Sequence, residues 1–330
     1  MTWKRLSLAA GLWLALASLG AAAEGERWIF YENFDSSSFT LPANWVVQND
    51  NKDTQTWQMQ LFGGARGGPA VRYLSHSINM ADDWLFSPLL ALAPQTSYTL
   101  HFKRRVTAST RPHQMRVWLA ASQTAASAAT EILALPDITD AAMKQSSATF
   151  QVAAAGSFSV GFHERSDPNR LALYLDDVIL ARPATDLRAY LQLDKVFYDH
   201  SNTYASTESI RSLVYVKNVS NGPVKANGLL SLGHEGDPQV VLSFRVTGPD
   251  GQPVPFEMRY RLTLPDVDDF EVLAPGKAVR KYYDLSRGAF DFSAPGTYTV
   301  QAVYRNIHQL PDGSAWLGQL VSDPVELEIK

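Results

Sequence analysis

Along most of this chain, apolar and polar residues alternate in short runs. Tyr98-Thr99-Leu100-His101-Phe102 and Met115-Arg116-Val117-Trp118-Leu119 are the cleanest examples. A period of two sends successive side chains to opposite faces, so each run reads as a strand with one side buried. Between residues 28 and 182 such runs are broken by Gly, Pro, Asn and Ser, and about nine strands are expected. The run Asp82-Asp83-Trp84-Leu85-Phe86-Ser87-Pro88 is central among them: an acidic entry, Trp84 and Phe86 on one face, and a proline that limits the ladder. Residues 121–130, rich in alanine, serine and threonine, read as a loop or one short helix, with loop preferred. No strand–helix alternation is present, which argues against a parallel α/β sheet.

The pattern restarts after Arg182-Pro183-Ala184-Thr185. Tyr190–Leu193, Ser212–Val216 and residues 240–246 read as strands, and Gly248-Pro249-Asp250-Gly251 as a hairpin turn. Residues 325–330 close the series, at about the spacing of an immunoglobulin-like sandwich. The chain therefore divides into residues 24–183, a short linker at 184–189, and residues 190–330.

Composition changes the picture at the N-terminus. Lys4 and Arg5 precede an apolar run ending near Ala21-Ala22-Ala23, the form of a cleaved signal peptide over residues 1–23. A secreted or periplasmic bacterial protein is expected, with no other run long enough to span a bilayer. The net charge is −4, and losing Lys4 and Arg5 makes it more negative, which disfavours nucleic acid as partner. Cysteine is absent, so packed cores rather than disulfides must stabilise an exported chain.

Several of these stretches occur together in a known order. Phe34-Asp35, Leu41-Pro42-Ala43-Asn44-Trp45, Trp57, Asp83-Trp84-Leu85-Phe86-Ser87-Pro88 and Leu175-Asp176-Asp177-Val178 resemble choice-of-anchor J, or cleaved-adhesin, domains. The resemblance spans about residues 28–182 and implies a jelly-roll β-sandwich, often holding calcium. The Asp50–Asp53 loop is less acidic and glycine-rich than that family's usual repeat. Pro249–Phe256, Leu273–Gly276, Asp284-Leu285-Ser286 and Phe292–Val300 resemble the immunoglobulin-like region preceding the catalytic domain of deuterolysin-type metallopeptidases. Since the sequence ends at Lys330, where a peptidase domain would begin, this likeness implies a fold and no proteolysis.

Candidate chemistry is sparse. No two of the seven histidines stand four apart as a zinc peptidase requires, and His163-Glu164 and His234-Glu235 read as chance adjacency. No Gly-x-Ser-x-Gly elbow occurs, and the glycines at 63–68 lack the lysine of a phosphate loop. Calcium is the best chemical expectation, because Ca²⁺ takes six to eight hard oxygens. Its candidate ligands are Asp35, Asp82, Asp83, Asp176 and Asp177, brought to a common spot; by the resemblance Asp35 and one of Asp176/Asp177 lead. Neighbours on a strand diverge, so one of each pair should serve unless a bulge intervenes. Capped surface turns are the alternative. Trp84 and Trp118 are expected in the core and Trp57 exposed, with Arg66, Arg72 and His76 around the glycine loop either adding hydrogen bonds to a ligand or, the preferred reading, forming a solvated rim.

The sequence thus reads as an all-β, non-enzymatic binding or adhesion protein: a jelly roll followed by an immunoglobulin-like sandwich. Its partner would be an extracellular glycan or protein. The alternatives are an accessory to a secreted metallopeptidase (inhibitor, chaperone or orphaned pro-region) and a hydrolase such as a glycosidase.

Overall fold

The computed structural model describes residues 25–35, 39–194, 197–198, 209–286 and 288–330; the expected signal segment lies outside the described residues. In the first half the strands are β1 (Gly25–Glu32), β2 (Val46–Asn49), β3 (Trp57–Gln60), β4 (Ala70–Leu74), β5 (Asp83–Phe86) and β6 (Leu90–Leu92). They are followed by β7 (Tyr98–Val106), β8 (His113–Ala120), β9 (Ala128–Ile138), β10 (Lys144–Phe150), β11 (Gly156–Glu164) and β12 (Ala172–Pro183). One sheet runs β10-β7-β12-β1, with β4 and β3 added beside β12; the other runs β2-β5-β11-β8-β9. The pairs are antiparallel, and the alternating side chains of both sheets meet in one apolar core that includes Tyr73, Leu85, Leu100, Phe102, Val117 and Phe162.

Trp84 and Phe86 do share a face: their rings stack at 5.4 Å. That face is the outer one. Leu85 enters the core, while Trp84 and Phe86 form a separate small cluster with Ala120, against which Trp118, Ala125 and Ala128 pack. The segment expected as a loop thus contains a 3-10 turn, Ala125–Ser127, and the start of β9. Its alanines present small apolar surface to the outward tryptophan, which a polar loop would leave wet.

The second half contains β13 (Leu187–Leu193), β14 (Phe197–Tyr198), β15 (Arg211–Asn218), β16 (Val224–Asn227), β17 (Leu242–Thr247), β18 (Phe270–Leu273), β19 (Ala278–Asp284), β20 (Gly296–Asn306), β21 (Gly318–Val321) and β22 (Val325–Ile329). The sheet β13-β15-β19 packs on one built round β20, which pairs with β17, β21 and β22, over a second apolar core. The hairpin turn after β17 closes as its sequence requires: Gly251 holds φ +77°, and its amide donates to Gly248 O at 2.9 Å.

The two halves meet edge to edge. β1 pairs with β12 on one side and with β21 on the other, so one sheet runs through both halves. Arg27 stands opposite Gly318, whose φ is +148° and whose missing Cβ would sit 2.1 Å from Glu26 O. Only glycine permits that approach. Residues 184–186 dock here too. Asp186 is buried and accepts from Trp316 Nε1 at 2.9 Å and from the Arg27 guanidinium, and the Ala184 amide donates to Gly25 O.

Candidate functional site

The edge-to-edge meeting leaves a cleft of about 360 Å³, lined from one side by Glu26, Trp28, Tyr31, His101, Lys103 and Asp177 and from the other by Arg245, Arg305, Ile307 and Gln319. The strands of both halves aim these groups at it. His101 Nε2 lies 3.0 Å from Glu26 Oε1, and Lys103 Nζ 2.7 Å from Asp177 Oδ2. Arg305 donates to Gln319 Oε1 at 2.7 and 3.0 Å and to Glu235 O at 3.2 Å, while Arg245 pairs with Glu235. Burial holds the Arg305 guanidinium below its usual pKa, offset by Glu235. Burial, and then the Asp177 carboxylate, raise the Tyr31 hydroxyl, which donates to Asp177 Oδ1 at 3.3 Å. Trp28, packed on Tyr31 at 5.4 Å, is 8% exposed and its Nε1 has no hydrogen-bond partner. A more open hollow of about 540 Å³ lies nearby, between Asp35 with Gly68 and His234, Asp237 and Tyr260.

The residues expected to form a ligand site stand in different settings. Trp57 is 2% exposed, against the expectation. Its pairing on β4 turns it inward onto Tyr73, and its Nε1 donates to Asp83 O at 3.2 Å. Arg72, the next residue on β4, is half-buried and alternates to the opposite face from Tyr73. His76 closes a turn, its Nδ1 accepting from the amides of Ile78 and Asn79. Arg66 lies in the 3-10 turn Ala65–Gly67, and its side chain is outside the described residues. Trp84, expected to be buried, is 5% exposed; Trp118 is half-buried.

The five aspartates expected round one ion fall into two groups on opposing sheets. Asp176 and Asp177 meet Asp35 beside the glycine loop. A register shift in β12 after Asp176, with Asp177 at φ +46°, is the bulge that lets both neighbours serve one region. Donors already engage this group. Asp176 Oδ2 accepts from Ala65 N at 2.6 Å and its Oδ1 from Asp177 N at 2.7 Å; Asp177 takes Lys103; Asp35 Oδ2 accepts from Asn33 Nδ2 at 2.7 Å. Burial, with the charges of Asp177 and Asp35, pushes Asp176 up to about 7.

The other two stand at the start of β5, Asp82 just before it and Asp83 as its first residue. Asp82 is exposed and binds His163 Nε2 at 2.7 Å, and that imidazole stacks on Trp84 at 3.8 Å. Asp83 is wholly buried. Burial pushes it up to about 6, resisted by the hydroxyls of Thr56 and Tyr73. A common spot for all five does not form, because β5 and β12 belong to facing sheets. Among the described residues, no three His, Asp or Glu side chains form a metal-holding group.

One buried acid escaped the sequence reading. Glu164 alternates inward with Val160 and Phe162, and pairs across the ladder with Asp83. His113 Nδ1 lies 2.8 Å from its Oε1, and Ser166 Oγ donates to the same oxygen. Ser, His and Glu here are not a nucleophilic triad. The serine engages the carboxylate rather than the imidazole, and all three are fully buried, out of a substrate's reach.

No protein-family model matches the chain, and no curated protein does. Among solved structures, the K3 cleaved adhesin domain of Lys-gingipain from Porphyromonas gingivalis is similar, at 20% identity and TM-score 0.40, covering 48% of this chain and 99% of that domain. The K1 cleaved adhesin domain of the same protein matches at 15% and 0.38, over 46% of this chain and 96% of its own. The CBM22-1 xylan-binding domain of Paenibacillus barcinonensis Xyn10C matches at 10% and 0.36, over 49% and 97%. These likenesses concern the form of a β-sandwich; no ligand follows from them.

Proposed function

We propose that the protein is an exported, non-enzymatic binding module that takes a saccharide unit of a glycan in the cleft between its two halves. The observation that carries this reading is the cleft's lining. Trp28 and Tyr31 offer aromatic surface, and Trp28 Nε1 is a buried donor still lacking an acceptor. Lys103, Arg245 and Arg305 add charged donors, and Glu26 and Asp177 acceptors. Apolar faces with a few convergent polar groups suit a small polar ligand, and a volume of about 360 Å³ accommodates one sugar ring.

The test is a glycan array followed by calorimetry with the best hit. Arg245→Ala, which removes an exposed side chain, should weaken binding roughly tenfold, about 1.4 kcal/mol. Gly318→Ala, which pries β21 from β1, should abolish it. A blank array from folded protein, or a hit indifferent to both changes, overturns the reading. Inhibition of a secreted metallopeptidase instead would turn it towards a protease accessory.

A further inference from the structure

The second half carries two exposed surfaces of opposite charge, neither of which lines the cleft. The first is the outer face of β13-β15-β19. There Arg188 stands opposite Lys217, Tyr215 lies between Tyr190 and Arg280, and Tyr282 follows on β19. Val214 and Val216 of β15 enter the core, so strand alternation turns Tyr215 and Lys217 outward. Tyr190 and Tyr215 stack at 4.8 Å, the Arg188 guanidinium lies 5.4 Å over the Tyr190 ring, and Tyr282 is 70% exposed. Arg188 pairs with Asp323, whereas Lys217 and Arg280 have no ion-pair partner among the described residues. Like charges set opposite one another on a ladder repel. Tyrosine with arginine is also the composition of a protein interface.

The second surface is the 3-10 turn Val267–Asp269 with the start of β18. Asp266 and Asp269 close the turn itself, each side chain accepting a backbone amide. Asp268 and Glu271 are exposed and have no paired cation among the described residues. Beside them Leu264, Val267 and Val272 are each more than half exposed. Among the described residues of the second half, five large hydrophobic side chains are exposed. Three of them are here, and a fourth is Tyr282. Apolar groups gathered on two charged surfaces mark a contact site. The two surfaces adjoin: a Cβ on Gly228 would meet Glu271 Oε1 at 2.8 Å and Val279 Cγ1 at 3.3 Å, which places β18 beside β19.

We infer that this side of the second half pairs with the same side of a second copy, the acidic turn of each chain docking on the tyrosine and cation face of the other. Because the two patches adjoin on one chain, a two-fold axis makes both contacts at once. Asp268 and Glu271 then meet Lys217 and Arg280, while Val267 and Val272 leave water against Tyr282. The occupant is the chain itself because it supplies both sides of the match in charge and in apolar surface. Pairing and glycan binding are separate properties, since the cleft uses none of these residues.

Sedimentation velocity of the full chain over roughly 1–500 µM tests this without any glycan, and should show monomer and dimer in exchange. Raising NaCl from about 50 to about 500 mM should weaken the association roughly tenfold, because exposed charges are screened. Lys217→Glu with Arg280→Glu should abolish pairing, and so should Asp268→Lys with Glu271→Lys. Mixing the two charge-reversed proteins should restore a dimer, since each offers the charge that the other now needs. Should either reversed protein fail to fold, Tyr282→Ala gives a second reading: it removes an exposed ring, and should weaken pairing about tenfold at an unchanged melting temperature. A monomer at every concentration would overturn the inference. So would a dimer that persists in either reversed protein, or folded reversed proteins that do not pair with each other.

Discussion

Two acidic constellations in the first half bury carboxylates differently. Beside the glycine loop, Asp176 sends both oxygens to main-chain amides, and Asp177 pairs with Lys103. Across the core, Asp83 meets the hydroxyls of Thr56 and Tyr73 and the Asp82 amide, and Glu164 meets His113 and Ser166 through one oxygen. A buried carboxylate is tolerated when donors surround it. The first constellation draws on main-chain amides and a lysine, the second on hydroxyls and an imidazole. An acidic cluster in the sequence does not separate the two cases; the kind of donor does.

The largest expected effect concerns the first constellation. A Cβ on Gly64 would stand 2.0 Å from Pro69 O and 2.7 Å from Asp176 Oδ2, both held by the closed loop. Gly64→Ala must push the loop away from Asp176, and urea unfolding should show a loss of about 3 kcal/mol. An unchanged midpoint would mean that the loop does not supply the amides that make this group self-sufficient.

Next comes Asp176 itself. Its pKa of about 7 stands above the ordinary 3.8, so between those values the folded chain holds a proton that the unfolded chain has released. Its contribution to stability is therefore fully present below pH 4 and lost as pH rises through 7. Asp176→Asn should flatten that part of the stability profile. It should also cost about 1–3 kcal/mol at pH 5, because an amide NH₂ then faces a backbone N–H. Parallel profiles for the two proteins would contradict the burial of this carboxylate.

Much of the fold was legible because alternation survives wherever one face is buried. Tyr98–Val106 keeps that pattern throughout its length. Residues 128–138 were not read as a strand, because β9 pairs with β8 alone and lies largely exposed, so burial imposes little alternation on it. The union of β1 with β21 was equally hidden, since no local pattern announces a partner some 290 residues away. Trp57 misled because a polar loop precedes it, whereas its exposure is set by β4. Glu164 was within reach. The inward series Val160, Phe162, Glu164 continues the alternation, but dismissing it as a chance neighbour of His163 left unasked which face it takes, opposite to that of His163.

The smallest effect discriminates best. Tyr73 is fully buried, packs its ring on Trp57 at 5.7 Å, and sets its hydroxyl against the Asp83 carboxyl. Tyr73→Phe removes that contact without opening a cavity. Burial pushes Asp83 up to about 6, so at pH 8 the hydroxyl faces a carboxylate and its loss should cost about 1 kcal/mol, falling at pH 5 where Asp83 is protonated. Two unfolding curves for each protein measure the difference. No cost at either pH would mean that the hydroxyl does not support Asp83, and the second constellation would then lack the donors that the first has.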